Sequence, residues 1–489
     1  MLSVECSPGF PSKRRPEPMS QIPPPPPGER VPLKAKFAWA LGSLGDNYAS
    51  QTLTQLVTPF YNIALGVPAE LIAKAMSIPR FIDSFADPTI GYLSDNSRSR
   101  FGRRRPFILA GAIPLAILAY CLWLPDGGWS KQSLALYLAV STFVYYLAYA
   151  LFIVPYRALG FEITSDYNER TRVQGWGMIF GLVGGLGIPW LYKLALVFGG
   201  ADPSAKTYAP EVMLQGTRWV GLCVAVIILI TCSAPAFLCR ERVLPGTQEK
   251  ISIWDALVQT LRNWPFFNML FARTLVLIAT FAVSAIGTPL IIYYLFAGNQ
   301  SEAATLQAVA GNLLFAGAGI GIPFNTWMSA RIGKRHAFIV CLLVASLGCL
   351  SQFFTMKPEH AYWILASNFV LGFGLQGVWL MCQSMVADVC DEDELRTGRR
   401  REGIYGAAYA LLEKLGVSAG FFLAGTVATI CGYSAGTPSP EVLHRMWLAA
   451  IFIPIGGMLL AALLIALYPL THARMTEIRA ELDARKASG

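Results

Sequence analysis

The sequence predicts an all-α integral membrane protein, about twelve transmembrane helices in two six-helix halves, and three observations carry that prediction. Hydrophobic residues make up 54% of the 489-residue chain and charged residues 14%, with a mean hydropathy of +0.47, whereas soluble domains carry about 25% charged residues. Apolar runs of roughly 20 residues, each long enough to cross a bilayer, recur from end to end. Basic residues gather in every second loop, as they do where positive loops face the inner side of a membrane. The hydrocarbon layer offers no water to an open backbone, so each span must be a helix.

The chain opens on MLSVECSPGFPSKRRPEPMSQIPPPPPGER, Pro-rich and without the apolar core of a signal peptide. Residues 1–35 therefore read as a disordered cytoplasmic tail, with Met19 an alternative start. Spans are expected near 37–65, 70–93, 106–124, 133–156, 172–198 and 217–238, forming the first half over 36–238. A cytoplasmic linker at 239–263 carries Ile253, Trp254, Leu257 and Leu261 at helical spacing, which places it along the inner interface. The second half, 264–468, has spans near 264–296, 304–328, 337–355, 361–388, 404–432 and 443–468, and a cytoplasmic tail at 469–489 closes the chain.

Loop charge orients the bundle. Arg103, Arg104 and Arg105, then Arg157, Arg170 and Arg172, then Arg240 and Arg242, then Arg331, Lys334 and Arg335, then Arg396 to Arg401 fall in one set of loops, while the alternate set holds little beyond Lys131, Lys206 and Lys357. Both termini are expected to be cytoplasmic, in a multi-pass protein of the cell inner membrane. The motif GRRRPFI beginning at Gly102 returns as GKRHAFI at Gly333, about 230 residues later, the spacing of two halves in parallel orientation.

Several function classes fall away. The net charge of +9 lies between spans, so no nucleic-acid partner is expected. Seven of the ten cysteines fall within apolar segments, no C-x-x-C pair exists, and the four histidines are scattered. No metal centre, cofactor or enzymatic activity is expected. An intramembrane aspartyl protease would draw its two acids from different helices, whereas the acids here share one. A monomer is expected.

Those acids stand in RFIDSFADPTIGYLSD, residues 80–95. A mid-span aspartate costs roughly 3 kcal/mol on insertion scales, so it calls for compensation or function. Asp83 and Asp87 are four apart, one helical turn, and point the same way. Two carboxylates on one face make a cation site, because a bound sodium ion or a proton relieves their repulsion. Arg80, one turn earlier, would balance a carboxylate when the ion is absent. The competing reading is a buried ion pair that ties helices together.

The loop DPTIGYLSDNSRSRFGRRRP resembles the signature loop of the major facilitator superfamily. DP at Asp87 and Pro88, VPYRALGFEITSDYNERTR at 154–172 and ADVCDEDELRTGRRREG at 387–403 resemble the glycoside-pentoside-hexuronide:cation symporter family, to which melibiose permease belongs. The resemblance runs from about Phe37 to the end. It implies the major facilitator fold, a cation site at Asp83, Asp87 and Lys414, and a sugar pocket with Asp46 and Trp379, to which the residues themselves add Tyr149 and Arg80 as candidates. It also implies cytoplasmic latches, with Asp95, Arg103, Asp388, Asp391, Glu402 and Arg170 as gate residues, joined by Glu162 and Asp166.

The match has gaps. Ile153 and Met178 replace sugar-binding residues, and Ala150 and Ala86 replace neutral oxygen ligands of the cation site. Sodium wants several oxygens, whereas a proton needs one carboxylate, so Na+ and H+ both stand as coupling ions. The expected activity is symport of a sugar or glycoside with a monovalent cation by alternating access, in contact with membrane lipid. The alternative is a carrier of another solute, such as a lysophospholipid, on the same scaffold.

Overall fold

The computed structural model describes residues 31–97, 99, 101–164, 167–202, 205–239, 263–398 and 401–488. Within them all regular structure is helical, and nine helices are long and apolar enough to cross a membrane. The tail before Val31, the alternative start at Met19 and linker residues 240–262 lie outside the described residues.

Helix α1 (Leu33–Val57) begins directly after Pro32 and so takes in residues 33–35 that the sequence assigned to the tail. It runs on into a wider π turn at Thr58–Ala64. The second expected span is broken. Helices α2 (Ala69–Asp83) and α3 (Ala86–Asn96) meet at Ser84 and Phe85. Pro88 accounts for the break, because it has no N–H to give the Ser84 carbonyl one turn back and its ring crowds that oxygen.

Helix α4 (Arg105–Cys121) has 17 residues, ~25 Å of rise. Helices α5 (Lys131–Glu162) and α6 (Tyr167–Gly187) follow. A short 3-10 turn at Ile188–Trp190, carrying Pro189, then separates α6 from α7 (Leu191–Phe198), a break at the proline. Pro155, by contrast, sits within an uninterrupted α5. Helix α8 (Pro210–Leu238) ends the leading set, residues 33–238.

The trailing set comprises α9 (Trp264–Phe281), α10 (Ser284–Leu290), α11 (Gln300–Ile332), α12 (Lys334–Thr355), α13 (Ile364–Thr397), α14 (Glu402–Cys431) and α15 (Pro440–Ala466). Side chains of Ser130, Asn263, Asn299 and Ser439 accept from the N–H three residues on and so start α5, α9, α11 and α15. The nine membrane-length helices begin with α5. Helix α1 carries Lys34, Lys36 and Asp46, the second expected span is split, and the third is short.

The expected C-terminal tail is a helix, α16 (His472–Ser488). Met475, Ile478 and Leu482 recur on one face and are buried, and Arg479 reaches Asp388 of α13 at 3.0 Å. An amphipathic stripe with a charge anchor docks rather than hangs free.

Leading and trailing sets have largely separate apolar cores. They meet where α2 packs along α14 and where α11 packs on α7 and the Ile188–Trp190 turn. Glycines of α11 make one close crossing within the trailing set: a Cβ on Gly317 would stand 2.2 Å from the Phe369 carbonyl of α13. Gly321 meets Phe373 similarly, while Gly319 faces open space.

Bonds between the sets lie at mid-bundle and toward one end. The Asn62 amide donates to the Ser434 carbonyl at 2.8 Å and accepts from the Tyr433 hydroxyl. The Ala69 N–H donates to Ser434 at 2.9 Å, and Lys193 donates to Ser301. At the opposite end, which carries the arginine-rich loops, Asp95 pairs with Arg104, and Asp388 pairs with Lys334 and Arg479, each within its own set. Among the described residues, the Asn62 end is the one closed by bonds between the sets.

Candidate substrate and cation site

Midway between the sets, the Lys414 ammonium of α14 sits 2.8 Å from Asp83 Oδ2 and 2.7 Å from Asp87 Oδ1. The two acids thus converge as the sequence implied, but not on one continuous helix. Asp83 ends α2 and Asp87 lies in the first turn of α3, so the Pro88 break lets both carboxylates reach one cation. Arg80 Nη1 approaches Asp83 Oδ2 at 3.4 Å, and its guanidinium lies 4.6 Å from the Tyr146 ring centre. Lys414, more than Arg80, is the cation that balances the pair.

Asp83 is buried, and its Oδ1 has no hydrogen-bond partner among the described residues. A buried carboxylate oxygen left unmet is costly. Here it leaves an unmet acceptor on the carboxylate that holds the ammonium.

Asp46 of α1 accepts from the Tyr149 hydroxyl at 2.6 Å and lies 3.8 Å from Arg157 Nη2. Arg157, counted by position among the loop arginines, stands inside α5 with its side chain 66% exposed. It is within electrostatic reach of Glu413 on α14, whose side chain is also partly exposed. Trp379 lies on α13. One face of its indole carries the Arg273 guanidinium at 4.6 Å. Ala150 and Ile153 are buried, and Met178 is exposed.

Sequence reasoning missed Arg273, Tyr409 and Glu413, and placed Arg157 in a loop. Arg273 and Glu413 carry the signal that revealed Asp83, a charge inside an apolar run, and they pair at 3.0 Å.

Among the gate residues, Asp95 meets Arg104, Asp388 meets Lys334 and Arg479, and Asp391 lies 3.6 Å from Arg479. Arg103 lies in the turn before α4 and Glu402 opens α14. Asp166 and the side chains of Arg170 and Glu162 lie outside the described residues.

At the basic end the Lys36 ammonium, the Arg172 guanidinium and the Val31 N–H all donate to Glu169. Together, Lys36 first, they hold its carboxyl down at about 2. Because this value lies below the ordinary carboxylate range, the stability Glu169 supplies is complete above about pH 4.5 and drains away as pH falls toward 2. Glu169→Gln is therefore expected to lower the thermal midpoint by a constant amount at pH 5–8, and the gap should narrow below pH 4.5. A gap independent of pH would exclude the charged contacts as its source.

The model of the family described as MFS/sugar transport protein matches residues 38–472. A glucuronide carrier protein homolog of Escherichia coli (strain K12) is 29% identical over 466 residues, 94% of this chain and 97% of that protein. An inner membrane symporter of the same organism is 26% identical over 450 residues, 90% and 92% of the two chains. Among solved structures, a bacterial homolog of the human lysosomal transporter Spinster, in an inward-facing and occupied conformation, aligns with a TM-score of 0.61 at 14% identity, covering 91% of this chain and 97% of that one. That likeness concerns the fold alone.

Proposed function

The chain belongs to the MFS/sugar transport protein family, and from that premise we propose that it is a symporter, coupling a monovalent cation to a sugar or glycoside by alternating access. One observation carries the reading: Asp83, with a spare buried oxygen, and Asp87 share the Lys414 ammonium at the boundary between the two helix sets. Lys414 occupies the place a cation would take. A sodium ion at the carboxylates, or a proton on one of them, displaces the ammonium and loosens the α2–α14 contact, so ion occupancy biases which end of the bundle opens.

The leading and trailing sets are the two six-helix halves, twelve spans in all, with α2 and α3 together making the second. The repeated motif supports this. Arg105 donates to the Ala236 and Phe237 carbonyls at the end of α8, and Arg335 donates to the Ala466 carbonyl at the end of α15. Each guanidinium thus caps the last helix of its own half.

The basic end faces the cytoplasm of a cell whose inner membrane holds the protein, with both termini on that side. Asp95, Arg103, Asp388, Asp391, Glu402 and Arg170 then latch the halves when that end closes. Asp46, Tyr149 and Trp379 hold the solute. The hydroxyl and charged groups of Tyr149, Asp46, Arg157 and Glu413 suit a polyhydroxylated solute better than an acyl chain.

Isothermal calorimetry on the full chain tests this against a panel of mono- and disaccharides and glycosides, with and without sodium, at two pH values. Cation-dependent binding of at least one sugar is expected, falling at least about tenfold in affinity in Asp83→Asn, about 1.4 kcal/mol. Dependence on sodium assigns that ion, and dependence on pH alone assigns the proton. A panel with no binder overturns the sugar reading.

A further inference from the structure

A groove follows the seam between the two helix sets at the closed end of the bundle. It holds about 260 Å³ and is lined by Glu70 and Lys74 of α2 and by Phe422, Thr426, Thr429 and Ile430 of α14. Its floor is a close crossing: a Cβ on Gly425 would stand 2.7 Å from the Ala73 Cβ and 3.1 Å from the Glu70 Cα, so the glycine lets α14 lie against α2. Phe422 and Ile430 are exposed, and exposed apolar side chains on a span meet lipid. The opposite faces of the same helices, at Ile72, Met76, Phe421 and Ala424, line a separate inner cavity beside Asn62. The groove therefore opens outward, to the bilayer.

The order of its chemistry along the membrane normal says what fits. Glu70 lies in the first turn of α2 and Lys74 one turn further in, about 6 Å of rise. Thr429 and Ile430 lie in the last turn of α14, with Phe422 two turns inside it. From the rim inward the groove thus presents a carboxylate, an ammonium and an aromatic ring. Glu70 and Lys74 pair at 2.7 Å with both side chains 48% exposed. Such an exposed pair adds little to a helix, while charges at the edge of the hydrocarbon are costly to keep. An aminophospholipid carries the complementary order, with its ammonium outermost, its phosphate a step inward and its acyl chains below. The groove has room for roughly nine waters at ~30 Å³ each, space that a phosphoethanolamine group can fill. Phosphatidylcholine has the same charges but no N–H for Glu70, and phosphatidylglycerol brings its phosphate with no cation to meet that carboxylate.

We propose that this groove binds phosphatidylethanolamine from the surrounding bilayer, with the ammonium on Glu70, the phosphate on Lys74 and an acyl chain along Phe422, and that the bound lipid holds the closed end shut. One wall belongs to each set, so the site is whole only while α2 and α14 are together. A ligand that binds one state and not the other shifts the balance toward the state it binds. Lys414 stands on the same seam, two helical turns along α14 from Phe422. Lipid and coupling cation then act on one contact in opposite senses, the lipid fastening what the cation loosens. That last effect rests on the alternating-access reading above, whereas the binding site rests on the α2–α14 seam alone.

Native mass spectrometry of the full-length protein, with dioleoyl phosphatidylethanolamine, phosphatidylcholine and phosphatidylglycerol in turn at equal concentration, reads the binding. The parent is expected to hold phosphatidylethanolamine about fivefold tighter than either of the others, the scale of one partly exposed ion pair. In E70K/K74E the helix keeps its i, i+4 pair with the order reversed, and the preference is expected to disappear. A pair that serves the helix alone would leave the lipid ranking untouched. E70Q, which keeps Lys74, is expected to bring phosphatidylethanolamine down to the level of phosphatidylcholine, and it keeps the proposal testable if the reversed pair does not fold. In nanodiscs, spin labels at Asn96 and Thr397, at the basic ends of α3 and α13, are expected to move apart when phosphatidylethanolamine replaces phosphatidylcholine around the parent, and to ignore the exchange in E70K/K74E. Equal binding of the three lipids by the parent, a preference surviving in either variant, or a label distance in the parent that ignores the lipid would each overturn the proposal. No sugar or coupling cation enters these measurements, so their failure leaves symport standing, and a sugar panel with no binder leaves the lipid site standing.

Discussion

Lys414→Ala is expected to lose about 3–5 kcal/mol of stability at neutral pH in sodium-free buffer, the cost of removing one partner from a buried ion pair, and to regain most of it when the coupling cation is supplied. The side chains of Asp83 and Lys414 are 1% and 11% exposed and 2.8 Å apart, so little solvent screens what the missing ammonium leaves behind. Arg80 alone then faces two carboxylates. A sodium ion or a proton can take the vacated place, which is the sense in which Lys414 and the coupling ion compete.

The measurement is thermal unfolding of the full chain against sodium at pH 8 and against pH in potassium buffer. Recovery with sodium at pH 8 names sodium as the ion. Recovery only on acidification names the proton. Failure of both would remove the cation-site reading of Asp83 and Asp87. In proteoliposomes the same variant should lose uphill accumulation, because an ion that binds without displacing Lys414 no longer changes the contact between the halves.

How much of this site was visible in the sequence depends on what kind of fact each part is. Asp83 and Asp87 stand out because a mid-span charge is costly and interrupts an otherwise smooth apolar run. Arg273 in the apolar stretch LFARTLVL and Glu413 beside Lys414 carry the same mark, yet the partner of each lies some 140 residues away on another helix. Local pattern flags such residues without pairing them. Arg157 failed differently: loop charge is assigned by nearness to a span end, and α5 runs to Glu162, past the expected end near 156. Overall helical order was legible because length and hydropathy are local. The break at Ser84–Phe85 was in principle legible from Pro88, but an i, i+4 argument assumes an unbroken helix, and both carboxylates meet Lys414 by another geometry.

The closed end gives the second large effect. Asn62 is buried, donates to the Val67 and Ser434 carbonyls at 2.8 Å each, and accepts from the Tyr433 hydroxyl. Leucine has nearly the same volume but satisfies none of these groups. Asn62→Leu therefore strands the Tyr433 hydroxyl, and leaves the Ser434 carbonyl with the Ala69 N–H alone, only while this end is shut, because opening hydrates them. One stranded group, about 1–3 kcal/mol, shifts the balance between the two open states by about 5- to 150-fold. Spin labels at Asn96, at the basic end of α3, and Thr397, at the basic end of α13, report that balance. Their distance distribution should move to shorter values as the basic end closes. Tyr433→Phe removes one bond and should move it in the same direction by less. An unchanged distribution alongside a lowered melting point would make the Asn62 cluster a structural tie rather than a gate. The closed end would then have to be held by packing of α2 on α14 and of α7 on α11, the first of which is the contact that the Lys414 experiment probes from the other side.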